Sequence, residues 1–371
     1  MTTNTDDLLP VGLSDRLPRE AAIATHAMRA VLGAMDSHGY DRVRPPLVEF
    51  EKSMAERMDG IQPRKMFRFV DPVSLRTMAL RSDMTVQVGR IAATSLAGAA
   101  RPLRLCYAGE VATITSDQLD PARQRLQLGA ELIGNDSVAA AGELVALAIE
   151  ALEAAGATGI SVDFTLPDLV DVLAVKAMPL NDSQMAAVRR ELDTKDAGGL
   201  KQAGGESYLP LLYATGDFEK AIEQLAAIDA GGALTSRIDG LKAIAARVSD
   251  KARITLDPTE RHGFEYQSWF GFTIYAEGVR GALGRGGTYT ICGSDEAATG
   301  FSLYIDRLID ALDEGGERHT LFLPFGHDTV AATKLRAEGW RTVAALGETD
   351  GDPVAIGCTH TLDGVEPTKL G

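Results

Sequence analysis

The sequence predicts an α+β protein: an antiparallel sheet flanked by helices, interrupted by a helical insertion and followed by a short C-terminal α/β appendage. Three observations carry this. Runs with strand-like alternation concentrate in two zones, before about residue 165 and again after 251. Between them, residues 166–250 switch to an apolar period of 3.6, the repeat of helices that each rest one face on a core. After residue 318, strand-like and helix-like runs alternate over a short tail, as they do in a small α/β unit. A chain of 371 residues accommodates two or three domains. The expected boundaries are 1–165 together with 251–317 for the sheet core, 166–250 for the insertion and 318–371 for the appendage.

From Arg19 to His38 the apolar residues Ile23, Ala27, Val31 and Met35 recur at helical spacing, and Gly39 follows as a stop. YDRVRPPLVEF then reads as a strand broken by Pro45-Pro46, and MFRFVD, TMALRSD, LRLCYAGEV and LQLGAELIG as short strands joined by turns. Asn135-Asp136-Ser137 caps a long alanine-rich helix running to about Ala155, and SVDFTL is a further strand. In the insertion, DLVDVLAV, DSQMAAVRREL, FEKAIEQLAAI and SRIDGLKAIAARV are helical, separated by Gly and Pro. Strands return at ARITLDP, FGFTIYAEG and ALGRGGTYTI and end in ATGFSLYIDRLIDAL, a strand running into a helix. In the tail, TLFLPFG, a helix over Asp328–Glu338, RTVAAL and PVAIGCTHTL complete the appendage.

Composition removes several function classes. The net charge of −15 and pI near 4.9 leave no long-range attraction for a phosphate backbone, so nucleic acid is not an expected partner. Cys106, Cys292 and Cys358 lie far apart, and the six histidines form no H-x-x-x-H pair. Neither a metal site nor a disulfide framework is expected, and a reducing cytoplasm is the natural compartment. No signal peptide is read in MTTNTDDLLPVG, and no apolar run reaches membrane-spanning length.

The motifs point to a nucleotide-and-amino-acid fold with parts missing. Gly300, Phe301 and Arg307 in ATGFSLYIDRL resemble the third signature of the class II aminoacyl-tRNA synthetases, with Tyr304 where that family has a glycine beside the adenine. Gly39-Tyr40 through Pro45 and Glu49 resemble its first motif, the dimer-forming unit, or are an ordinary helix–strand pair with a proline. LRSDMT resembles the L-R-P-E-G-T of histidyl-tRNA synthetase: Asp83 takes the place of the acid that holds the α-amino group, and Thr85 that of the threonine. Asp83 also reads as an exposed, solvated carboxylate. RQRLQLGAELIG resembles the second half of the second motif. Gln127 and Glu131, four apart on a strand, share one face; in the family they grip the substrate histidine, and otherwise they are the solvent face of that strand.

The rest of the resemblance is in what departs. GEVATITSDQ places Thr113 and Thr115 where the family has the arginine and glutamate that meet ATP, and hydroxyls cannot neutralise charge developing at phosphorus. The histidine-binding signature R-G-L-D-Y-Y appears as RHGFEYQSW, matching at Arg261 and Tyr266 with His262 intervening. LGRGGTYTI resembles the G-G-R-Y-D segment with Thr290 for the aspartate, or is a hairpin turn. The tail carries five Lys/Arg against seven Asp/Glu and is about half the length expected of an anticodon-binding domain.

Losses on the ATP side with retention on the histidine side resemble one family, the regulatory subunits of hetero-oligomeric ATP phosphoribosyltransferase, which opens histidine biosynthesis. That resemblance implies a histidyl-tRNA synthetase paralogue without catalysis or cofactor, a homodimer within a hetero-octamer. It implies assembly with the short-form catalytic subunit, activation of it, and a part in feedback by histidine. The histidine-binding residues it implies are Asp83, Thr85, Gln127, Glu131, Arg261 and Tyr266; a vestigial ATP site falls on Thr113, Thr115, Tyr304 and Arg307. An active histidyl-tRNA synthetase and an amino-acid-sensing module with another partner are the alternatives.

Overall fold

A computed structural model describes residues 9–55, 65–114, 121–228, 231–261, 267–291, 294–312, 319–348 and 352–370. In chain order the first zone holds α1 (Pro18–Ser37), β1 (Asp41–Arg42), β2 (Val48–Phe50), α2 (Glu51–Ala55), β3 (Arg68–Val70), β4 (Thr77–Leu80), α3 (Thr85–Ala93), β5 (Leu103–Ala112), β6 (Gln124–Ile133), α4 (Val138–Ala154) and β7 (Ser161–Thr165). The insertion contributes α5 (Leu169–Lys176), α6 (Asp182–Asp193), α7 (Ala197–Gln202), a 3₁₀ stretch Glu206–Tyr213, β8 (Gly216–Asp217), α8 (Phe218–Ile228) and α9 (Thr235–Val248). Then follow β9 (Arg253–Leu256), β10 (Gln267–Tyr275), β11 (Gly284–Ile291), β12 (Glu296–Tyr304) and α10 (Asp306–Ala311). The tail holds β13 (Thr320–Leu323), α11 (Thr329–Ala337), β14 (Arg341–Ala344), β15 (His360–Asp363) and β16 (Glu366–Lys369).

The helix boundaries follow their local chemistry. In α1, Ala27, Val31 and Met35 are buried at four-residue spacing, and Gly39 ends the helix with φ +78, a left-handed position where a Cβ is strained. Ser137 caps α4, its hydroxyl accepting from the Ala140 amide at 3.3 Å. Buried Leu144, Val145, Leu147, Ile149 and Leu152 then hold α4 in the main core, which also takes Leu173, Val188, Leu225, Leu241 and Ile244 from the insertion. The insertion therefore shares one apolar core with the sheet, and Met1–Leu312 form a single compact unit, with Asp313–Gly371 a second.

Among the described residues the large sheet has nine strands in the order β1-β5-β6-β12-β11-β10-β7-β9-β8. It is mainly antiparallel, and the pairs β1–β5 and β7–β9 are parallel. The insertion also supplies a strand: β8 pairs antiparallel with β9 at the edge. A separate three-stranded sheet, β2-β4-β3, carries the chain into the loop before α3.

Two local readings are corrected. Gly284–Gly287 lies inside β11, paired with Leu303–Gly300 of β12, and is not a hairpin turn. The turn precedes it, where Gly278 and Gly281 take φ +75 and +77. In the tail unit PVAIG is a turn, closed by Cys358 N–H to the Pro353 carbonyl at 2.9 Å, and the strand starts only at His360. That unit is a four-stranded sheet, β14-β13-β15-β16, parallel except for β15–β16, and α11 buries Ala332 and Leu335 with Leu321, Leu323 and Leu362. None of the helices among the described residues is long and apolar enough to cross a membrane.

Candidate functional site

Register builds the site. Tyr107 of β5 lies opposite Gly129 of β6, and Gly129 opposite Ser302 of β12, so these three share a face. One step along the strands, Glu131 lies opposite Gly300, Gly300 opposite Gly287, and Gly287 opposite Gly271. Three neighbouring strands thus present glycines side by side, a flat floor beside the Glu131 carboxylate. Each glycine is needed by its neighbour. A Cβ on Gly300 would fall 1.6 Å from Glu131 Oε2, and one on Gly129 2.3 Å from the Tyr107 hydroxyl and 2.4 Å from the Phe301 carbonyl. The amide of Gln267 rests over Gly271 and Gly287 for the same reason, and its Nε2 donates to the Gly286 carbonyl at 2.9 Å.

Around Glu131 the polar groups form one connected network, buried throughout except at Asp83. The Tyr107 hydroxyl donates to Glu131 Oε1 at 3.1 Å and the Tyr289 hydroxyl to Oε2 at 2.8 Å. Ser302 Oγ and Thr85 Oγ1 each lie 3.0 Å from the Tyr107 oxygen. Gln127 Nε2 donates to Ser302 Oγ at 2.8 Å and to Asp83 Oδ1 at 3.2 Å, while its Oε1 accepts from the Met84 amide at 2.9 Å. Asp83 also accepts from the Thr85 amide at 2.7 Å, at the start of α3. Gln127 and Glu131 are 0% and 1% exposed, so their face of β6 is interior, not solvated. Satisfying every partner inside a low-dielectric sheet fixes these side chains strongly.

Burial sets the protonation of the site. Glu131 is pushed up to about 8 by desolvation, which the two phenols oppose and the nearby Asp83 charge reinforces. Asp83 is raised by its own burial, against the Thr85 and Gln127 hydrogen bonds. A carboxyl in this state donates or accepts according to what fills the space beside it.

That space is a partly open pocket lined by Thr85, Glu131, Gln267, Arg285, Tyr289 and Ser302 over the glycine floor. Its chemistry suits a small planar ring carrying an N–H, with Glu131 as acceptor. A second pocket adjoins it, sharing Gln267 and Arg285 and lined also by Thr165, Glu260, Arg261, Phe272 and Thr273.

Of the sequence-derived residues, Asp83, Thr85, Gln127 and Glu131 are brought together. Arg261 is placed in the second pocket, its amide donating to Asp193 at 2.9 Å and its Nε buried without a partner. Tyr304 lies opposite Gln127 on β12, half-buried, 5.9 Å from the Arg125 guanidinium, its phenol raised by desolvation. Thr113 continues β5, its amide donating to the Arg123 carbonyl at 2.9 Å. Arg307 Nη1 donates to the Arg280 carbonyl at 2.8 Å, at the β10–β11 turn, and lines neither pocket. Thr115, His262 and Tyr266 lie outside the described residues. Sequence reasoning did not single out Tyr107, Ser302, Tyr289, Gln267 or Arg285; only strand register places them here.

The model of the family described as histidyl-tRNA synthetase matches residues 12–308. Proteins named ATP phosphoribosyltransferase regulatory subunit are similar along almost the whole chain. That of Rhodospirillum centenum is 38% identical over 366 residues, 96% of this chain and 95% of its own. That of Paramagnetospirillum magneticum is 39% identical over 370 residues, 96% and 97%. A crystal structure from Bacillus halodurans, described as an ATP phosphoribosyltransferase regulatory subunit/histidyl-tRNA synthetase, superposes with TM-score 0.81 at 25% identity, covering 96% of this chain and 97% of that one. Histidyl-tRNA synthetase from Nostoc sp. PCC 7120 superposes with TM-score 0.77 at 15% identity, covering 96% and 91%, a likeness of fold.

Proposed function

The chain belongs to the family of ATP phosphoribosyltransferase regulatory subunits, built on the class II histidyl-tRNA synthetase fold, and from that premise we propose that it binds histidine without activating it. In this reading it is the non-catalytic subunit of the first enzyme of histidine biosynthesis. It dimerises through the class II core, assembles with the short catalytic subunit as a hetero-octamer, activates it and relays histidine feedback.

One observation supports this most: the buried network around Glu131 is complete, while the neighbouring positions of a nucleotide site are not. Adenylation needs cations placed to meet charge at the α-phosphate. Thr113 brings a hydroxyl where the family has an arginine, the Tyr304 phenol fills the position opposite Gln127, and Arg307 is turned to a carbonyl. Bound histidine would lay its imidazole on the floor of Gly271, Gly287 and Gly300 with an N–H on Glu131, and bring its ammonium toward Asp83, Thr85 and Gln127. Feedback then follows from linkage. Histidine must bind the inhibited assembly more tightly than the active one, and a coupling of about 1–3 kcal/mol is the usual size.

The test is paired. Calorimetry on the purified subunit should register histidine binding with no nucleotide present. Under the same conditions, histidine-dependent exchange of pyrophosphate into ATP should be absent. Exchange at a rate ordinary for a synthetase would sink the proposal.

A further inference from the structure

We infer that Arg285, not Arg261, receives the α-carboxylate of the bound amino acid, making the site selective for the free acid over its alcohol and amide. This rests on the histidine reading above and adds the group that tells histidine from its carboxyl-reduced or carboxyl-blocked analogues.

The pocket walls limit where a carboxylate can go. An amino acid held by Glu131 at its ring and by Asp83 and Gln127 at its ammonium must still place a carboxylate, and burying that charge unmet is costly. Among the residues lining the Glu131 pocket, Arg285 is the one cation. Register puts it next to the network: Arg285 of β11 lies directly opposite Ser302 of β12, which accepts from Gln127 and contacts Tyr107. Arg261, the other arginine beside the site and one that the family resemblance places among the histidine-binding residues, lines only the adjoining pocket. The Gln267 amide lies over Gly271 and Gly287, and with Arg285 it is shared by both pockets, forming the divide between them. A carboxylate at that divide meets a planar guanidinium fork with the Gln267 amide beside it.

Acidic groups also lie on the far side of Arg285. Across the sheet it faces Thr273, and beyond Thr273 comes Asp163, with Glu260 lining the same second pocket. Asp163 and Glu260 hydrogen-bond to each other; burial raises both, and that bond together with the Asp163 charge raises Glu260 further, to about 7. Two carboxyls that share a proton offer Arg285 about one negative charge rather than two.

Calorimetry on the full-length subunit with histidine, histidinol and histidinamide tests this, comparing wild type, Arg285→Gln, Arg285→Lys and Arg261→Gln. Wild type should prefer histidine to both analogues by about tenfold or more, the size of one lost charge-assisted hydrogen bond. Arg285→Gln should weaken histidine by about that factor and leave histidinol unchanged, which also shows that the variant is folded; Arg285→Lys should recover part of the preference. Arg261→Gln should keep it. If Arg285→Gln weakens both ligands alike or neither, or if Arg261→Gln is the variant that erases the preference, the assignment to Arg285 is wrong while the histidine site stands. If wild type takes up none of the three, both fall.

Discussion

Replacing Glu131 with glutamine keeps the shape and removes the charge, and the structure fixes how the consequence depends on pH. The wild-type carboxyl is 1% exposed and raised from 4.5 to about 8, with Tyr107 and Tyr289 as its partners. Because the folded value is the higher one, the folded chain binds more protons than the unfolded chain between those two values. Its contribution to stability is full below about 4.5 and is lost as pH rises through about 8. The window is about 3.5 pH units at about 1.4 kcal/mol each, so the swing is on the order of 5 kcal/mol. Glutamine has no such titration. Other carboxyls, the half-buried Asp83, Asp163 and Glu260, titrate in both proteins, so the difference between wild type and Glu131→Gln reports chiefly on the one group. The assay is urea unfolding from pH 5 to 9, followed by Trp269 fluorescence in a Trp340→Phe background, since Trp269 reports on the Glu131 unit and the chain has two tryptophans. Glu131→Gln should gain steadily on wild type as pH rises, and stand several kcal/mol ahead of its pH 5 relation by pH 9. A difference that stays flat, or that shrinks with rising pH, would refute the burial argument for this carboxyl.

Further outcomes follow from single contacts. Gly300→Ala sets a methyl 1.6 Å from Glu131 Oε2 and must break the Tyr289 bond or shift β12, so unfolding should come about 1–3 kcal/mol sooner and calorimetric histidine binding should be lost. Ser137→Ala removes the cap of α4 and should cost about 1 kcal/mol in urea unfolding without altering histidine affinity, since Ser137 touches neither pocket.

Much of the fold was legible because its signals are local. The four-residue spacing in α1, the Asn-Asp-Ser cap of α4 and the alternation in β5 and β6 each depend on a few neighbouring side chains. Gln127 and Glu131 were legible for the same reason: period two on a strand puts them on one face whatever the fold. What the sequence hid is set by register between strands far apart in the chain. Tyr107 reaches Glu131 only because β5 and β6 pair with Gly129 opposite it, and Arg285 meets the pocket only because Gly284–Gly287 continues a strand instead of turning. G-R-G-G carries a strong local turn preference, and the pairing with β12 overrides it. The orientations of Arg261 and Arg307 were hidden likewise, since a motif places a Cα and not a guanidinium.

As proposed, this chain regulates a partner and performs no activation of its own. Mixed with a short-form ATP phosphoribosyltransferase catalytic subunit at micromolar concentration, it should elute by size exclusion with light scattering as one larger complex. In that same sample phosphoribosyl transfer should be faster than with the catalytic subunit alone and should fall when histidine is added. Two unshifted peaks, with a transfer rate and histidine response the same as those of the catalytic subunit alone, would contradict the account.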